Sequence, residues 1–99
     1  MTTPIPPLTT EEIMEQRGEI YGSYTKICQI AESIETSLRS GESWPMLRPE
    51  QKQSLKMMAH KMARVVCGNT QYRDNWLDMS GYAELVVKEI DRRVEANIK

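Results

Sequence analysis

The chain has no phenylalanine, one histidine and two cysteines, and its aromatic residues are limited to two Trp and four Tyr. Each scarcity excludes something. One His with the widely separated Cys28 and Cys67 does not supply the four ligands of a structural zinc site. No secretory leader is evident, so the two thiols are expected to be reduced and packed among apolar neighbours. No apolar run approaches the ~20 residues needed to span a bilayer. The N-terminus, MTTPIPPLTTEE, has neither a basic leader nor an apolar stretch, so a cytoplasmic location is expected. Thirteen basic and fourteen acidic side chains leave a formal charge of −1. A protein that mainly grips nucleic-acid backbones carries a basic excess, and this chain has none.

What is present specifies helices. A chain of 99 residues makes one domain. It buries roughly two thirds of its unfolded surface, which is enough to fold with a thin margin. Residues 1–9, with Pro4, Pro6 and Pro7, read as an extended arm ahead of a single helical domain over 10–99. Thr9 followed by Glu12 is a capping-box pattern. It predicts a short helix over 10–17, interrupted by Gly18 and Gly22. A second helix over 23–39 places Tyr24, Ile27, Cys28, Ala31, Ile34 and Leu38 at helical spacing, with Gly41 as a stop signal. Trp44 and Leu47 are expected to pin the linker over 40–48. Pro49 starts a third helix over 49–67, whose expected buried stripe is Leu55, Met58, Ala59, Met62, Val65 and Val66. Gly68 ends it. Asp74 is expected to cap a fourth helix over 74–96. The main stripe of that helix is Trp76, Met79, Ala83, Val86, Ile90 and Val94. No segment alternates apolar and polar residues, so no sheet is expected. The predicted fold is all-α, a small bundle of three main helices plus a short N-terminal one. Met57, Tyr82 and Leu85 fall on second faces of the last two helices. A thin bundle does not cover them, so a homo-oligomer, most simply a two-fold dimer, is expected.

The chemistry-bearing residues concentrate around the turn between the third and fourth helices. Lys61 and Arg64 lie on one face before it, while Asp74, Asp78 and Tyr82 share a quadrant after it, near Trp76. Arg17 and Tyr21, four residues apart, point the same way from the first helix. Arg suits bidentate oxyanion contacts and Lys supplies a point charge. These groups either surround a phosphorylated ligand or close into a salt-bridge network, with Asp78 paired to Lys61 or Arg64. Glu35 lies inside the second helix's apolar stripe. It either reaches Arg39 or joins Asp74 and Asp78 in an all-oxygen Mg²⁺ site. Mg²⁺ is the one cofactor these residues suggest, and the cofactor is otherwise unknown. His60 falls on a polar face and is expected to be exposed.

Three segments carry a family resemblance: Arg17-x-x-x-Tyr21-Gly22, Lys61-x-x-Arg64 and Arg73-Asp74-Asn75-Trp76-x-Asp78-x-x-Gly81-Tyr82-Ala83. Together they resemble a family of small phage and prophage domains of unknown function. The resemblance implies a phage or prophage origin, a bacterial cytoplasm and no established activity. A looser similarity runs to the all-α nucleoside triphosphate pyrophosphatases of the MazG type, through Glu32-x-x-Glu35 and the Asp of Asn75-x-x-Asp78. That similarity implies Mg²⁺-dependent pyrophosphate release, but one carboxylate of the second pair is replaced by Asn75. The expected function is a small phage accessory protein that binds a phosphorylated nucleotide-like ligand at the turn between the third and fourth helices. The competing expectation is a non-enzymatic protein that binds and inhibits a host or defence-system protein.

Overall fold

The computed structural model describes residues 6–98, which leaves the first part of the proline-rich arm outside the described residues. Residues 6–9 are non-helical and exposed. Four α-helices follow in order: α1 Thr10–Tyr21, α2 Tyr24–Arg39, α3 Pro49–Cys67 and α4 Arg73–Ile98. A short 3₁₀ turn, Trp44–Met46, lies between α2 and α3. No strand occurs among the described residues, and none of their helices is long and apolar enough to cross a membrane.

Local signals set most helix ends. The Glu12 backbone N–H donates to Thr9 Oγ1 at 3.1 Å, and Thr9 Oγ1 donates to Glu12 Oε1 at 3.0 Å. This reciprocal cap satisfies a donor that the first turn would otherwise leave unpaired. Ser23 caps α2, accepting from the Lys26 amide at 3.4 Å. Pro49 opens α3, while Gln51 Oε1 accepts from the Arg48 N–H at 2.9 Å. Two expectations need correcting. The first helix does not stop before Gly18 but continues to Tyr21, because one exposed glycine costs a helix only ~1 kcal/mol. Asp74 is not the cap of α4. The helix begins at Arg73, and the Asp74 carboxylate instead accepts from the Tyr72 hydroxyl at 3.2 Å.

The central element is α3, with α2 and α4 packed on it. Antiparallel α3 and α4 are joined by ion pairs between Arg93 and Glu50 at one end and Lys61 and Asp78 at the other. Ala63 of α3 packs with Ile27 and Ala31 of α2 in a small core, bordered by Tyr21, Ile30 and Cys67. Small residues on α3 let α2 approach closely. Leu47, half-buried, borders a groove with Leu55, Met58, Ala83 and Val86. Half-buried Trp44 stacks near the Lys52 ammonium, 5.8 Å from its ring centroid. Both residues pin the linker as expected.

The main departure is in burial. Met62 and Val66 of α3, and Trp76, Ile90 and Val94 of α4, belong to the expected core stripes yet are exposed. Helical spacing gives the direction of a stripe but not whether anything lies opposite it. The shape fits this: the radius of gyration is 18.2 Å, against about 13 Å for a compact chain of this size. His60 is half-buried rather than exposed, and burial with Arg64 and Lys61 nearby holds its imidazole below the ordinary range. Cys28 and Cys67 are free and half-buried.

Candidate functional site

The end of α1 meets the end of α3 backbone to backbone. Gly22 closes α1 at φ +86°, in the left-handed region that favours glycine. A Cβ on Gly22 would lie 2.1 Å from the Cys67 carbonyl oxygen, and one on Gly68 would lie 2.2 Å from the Ile20 carbonyl oxygen. The Asn69 amide donates to that same Ile20 carbonyl at 2.7 Å. Two glycines on different elements therefore let two backbones touch, and this contact fixes α1 against the α3–α4 turn.

The contact creates a cleft of about 330 Å³ lined by Met14, Arg17, Gly18, Tyr21, Gly22, Tyr24, Ile27 and Arg64. Arg17 and Tyr21 reach it from one face of α1. Arg64 comes from the last turn of α3, its guanidinium carbon 4.5 Å from the Tyr21 ring centroid, a cation–π distance. Tyr21 meets Tyr72 edge-on, with centroids 5.7 Å apart and planes at 74°. Tyr72 in turn donates to Asp74. The Tyr21 contact, followed by Asp74, holds the Tyr72 phenol above its ordinary range. Arg64, Tyr21, Tyr72 and Asp74 thus form a continuous chain of contacts. Among the described residues, neither Arg17 nor Arg64 has a carboxylate within salt-bridge distance.

The other expected site residues lie elsewhere. Lys61, and not Arg64, takes Asp78, with Nζ 2.9 Å from Oδ2. Asp78 and Tyr82 share a shallow groove along α4 with Leu77, Gly81 and Leu85, and Tyr82 also borders a second groove with Met57. Trp76 is exposed, and its indole N–H donates to the Thr70 carbonyl at 3.2 Å, bracing the turn. The eight residues therefore divide into an arginine–tyrosine cleft, a lysine–aspartate pair with Tyr82 nearby, and turn-bracing contacts. The all-oxygen cluster considered for Glu35, Asp74 and Asp78 does not assemble. No group of three His, Cys, Asp or Glu placed to hold a metal ion occurs among the described residues. Glu35 instead lies 3.9 Å from Arg39.

Several contributors were not legible in the sequence. Tyr24, which the spacing assigns to the α2 stripe, is 75% exposed and lines the cleft. Its place in the first turn, two residues after Gly22, was the only available signal. Gly68 reads locally as a helix stop, yet its second role is the close approach to α1. Asn75 is 1% exposed, and its side-chain nitrogen has no hydrogen-bond partner among the described residues. It continues the helical spacing of Met79, Tyr82 and Val86, and only its polar side chain kept it out of the expected stripe.

The ion pair gives a direct test of the division. Lys61 is 12% exposed and Asp78 46%, so solvent screens the pair from one side. A double-mutant cycle of Lys61→Met with Asp78→Asn is expected to show a coupling of about 0.5–1 kcal/mol in urea unfolding. Arg64→Gln with Asp78→Asn should be additive within about 0.5 kcal/mol. Coupling in the second cycle and none in the first would reverse the assignment.

No curated protein and no solved structure matches the chain. A family model described as a domain of unknown function (DUF6378) matches residues 8–90, a span that takes in α1, the glycine contact, the cleft and most of α4. The chain belongs to that family.

Proposed function

We propose that this chain is a small accessory protein of phage or prophage origin that binds a phosphorylated, ring-bearing ligand of the nucleotide class in the cleft between α1 and α3. The origin rests on the resemblance of the Tyr21-Gly22 and Asp74–Ala83 segments. The binding reading rests on one observation: two guanidinium groups without carboxylate partners among the described residues and two tyrosines line the same cleft. Arg17 and Arg64 present planar donor forks to phosphate oxygens. The exposed Tyr24 ring and the apolar Met14 and Ile27 side chains offer contact to a base. Tyr72 and Asp74 act behind Tyr21 and hold its ring in place. The cleft volume falls at the lower end of the range typical for small-molecule sites. Lys61, Asp78, Trp76 and Tyr82 support the scaffold in this reading and do not touch the ligand.

Thermal unfolding with a panel of nucleotides, dinucleotides and cyclic nucleotides, with and without Mg²⁺, tests the proposal. A ligand at one hundred times its dissociation constant adds ~2.7 kcal/mol, equivalent to roughly 10–20 °C in a domain of this size. Arg17→Gln and Arg64→Gln are each expected to abolish the shift, and Lys61→Gln to leave it. A panel with no shift, or a shift that survives both arginine changes, rejects this site.

A second reading is favoured by the groove between α3 and α4. Exposed Met57 and Leu85 lie there beside Tyr82. A methionine and a leucine presented next to an aromatic ring suit a protein partner. In that reading the chain binds and inhibits a host or defence-system protein. Met57→Glu and Leu85→Glu would then abolish activity in the host while leaving the fold intact.

A further inference from the structure

Of the six large apolar side chains of α4 that are exposed among the described residues, Trp76, Val87, Ile90 and Val94 fall on one line, while Leu77 and Leu85 lie off it. Trp76, Ser80, Ala83, Val87, Ile90 and Val94 follow one another at intervals of four, three, four, three and four. That is the 3.5-residue repeat of a coiled-coil seam. The seam lies about a quarter turn from the line of Asn75, Met79, Tyr82 and Val86 that faces α3. Trp76, Val87, Ile90 and Val94 are exposed along it. On α3, Leu55, Met62 and Val66 form a parallel stripe, and the last two are exposed. Leu55 and Ala83 border the same groove, which places both stripes on one face of the α3–α4 pair.

We infer that this face is covered by a second copy of the same chain, with α4 packed antiparallel against its two-fold mate. Three observations select that occupant. The first is self-complementarity. An antiparallel pairing centred on position 85 sets Trp76 opposite Val94, Ser80 opposite Ile90 and Ala83 opposite Val87. In the two inner layers a small residue meets a branched one, so one pattern serves as both knob and hole. The second is area. Trp76 to Val94 spans about 27 Å at 1.5 Å per residue. With α3 alongside, the face is about 20 Å wide. Two such faces bury on the order of 1,000 Å², the lower threshold for a biological interface, as suits a dimer that forms with rising concentration. The third is the deficit within one chain. Ile27, Ala31, Ala59, Ala63 and Val65 are the buried apolar residues among those described, and a second copy adds a core that a single copy lacks.

Light scattering across 5–200 µM is the first measurement. The expected mass is twice 11.4 kDa. Val87→Glu and Val94→Glu place a charge at positions exposed in the single chain, so helicity by circular dichroism is expected to persist while the mass falls to 11.4 kDa. Leu85→Glu, on the other flank of α4, should leave the larger mass unchanged. Register is read by cross-linking in a chain carrying Cys28→Ser and Cys67→Ser. Trp76→Cys mixed with Val94→Cys is expected to form an intermolecular disulfide under mild oxidation, and neither variant alone should do so. A wild-type chain that stays at 11.4 kDa throughout overturns the proposal and leaves the face to a different partner. A dimer that survives both glutamate changes, or one that cross-links through each cysteine variant alone, also overturns it.

Discussion

Gly22→Ala and Gly68→Ala are each expected to destabilise the fold by about 2–4 kcal/mol, through overpacking and, at Gly22, backbone strain. A Cβ at either position would come 2.1–2.2 Å from a backbone carbonyl oxygen on the other element. Backbone cannot rotate aside as a long side chain does, so α1 must lift from the α3–α4 turn. Lifting it breaks the Asn69 to Ile20 hydrogen bond and opens the arginine–tyrosine cleft. Gly22 carries a further penalty, since its φ of +86° strains any L side chain. The opposite outcome is expected at Gly18 and Gly81. Both are helical, and a Cβ there meets nothing within 4 Å. Alanine at either should stabilise by up to ~1 kcal/mol through helix propensity and a less flexible unfolded chain. Melting temperatures of the four variants decide the matter, since 1 kcal/mol is roughly 4–8 °C in a domain this small. Equal effects at all four positions would remove the close-contact explanation.

A pair of chemically identical changes is expected to give the second large effect. Ile27→Ala removes a side chain that is 3% exposed and sits against Ala31 and Ala63. It should cost about 3–4 kcal/mol, because the transfer energy of the lost carbons adds to that of the cavity left behind. So small a core leaves few neighbours able to collapse into that space. Ile90→Ala, at a position 42% exposed, should cost under about 1.5 kcal/mol when measured at protein concentrations too low for association. At high concentration the cost of Ile90→Ala should grow, because the seam on α4 is then covered. Denaturant midpoints at two concentrations separate the contributions. An Ile90→Ala cost that matches Ile27→Ala in the dilute chain would mean that α4 is already covered within one copy.

What the sequence by itself determined is the set of features that depend on near neighbours along the chain. The Thr9–Glu12 cap places the start of the first helix, and helical apolar spacing, Pro49 at a first turn and the stop signals at Gly41 and Gly68 place the second, third and fourth helices within two residues of their observed ends. Each of these involves atoms no more than about four residues apart, so a linear reading contains them. Arg17 and Tyr21, one turn apart, share their cleft for the same reason. Tertiary structure alone decided the rest. Lys61 and Arg64 are also one turn apart. Yet one pairs with Asp78 while the other stacks on Tyr21, because α3 has a different neighbour on each side. Ile27 and Ile90 occupy equally apolar stripes, and only the presence of α3 opposite one of them buries it. Gly68 ends a helix in the sequence and admits a second backbone in space. Periodicity gives each helix a direction, and what stands in that direction follows from how the helices are stacked.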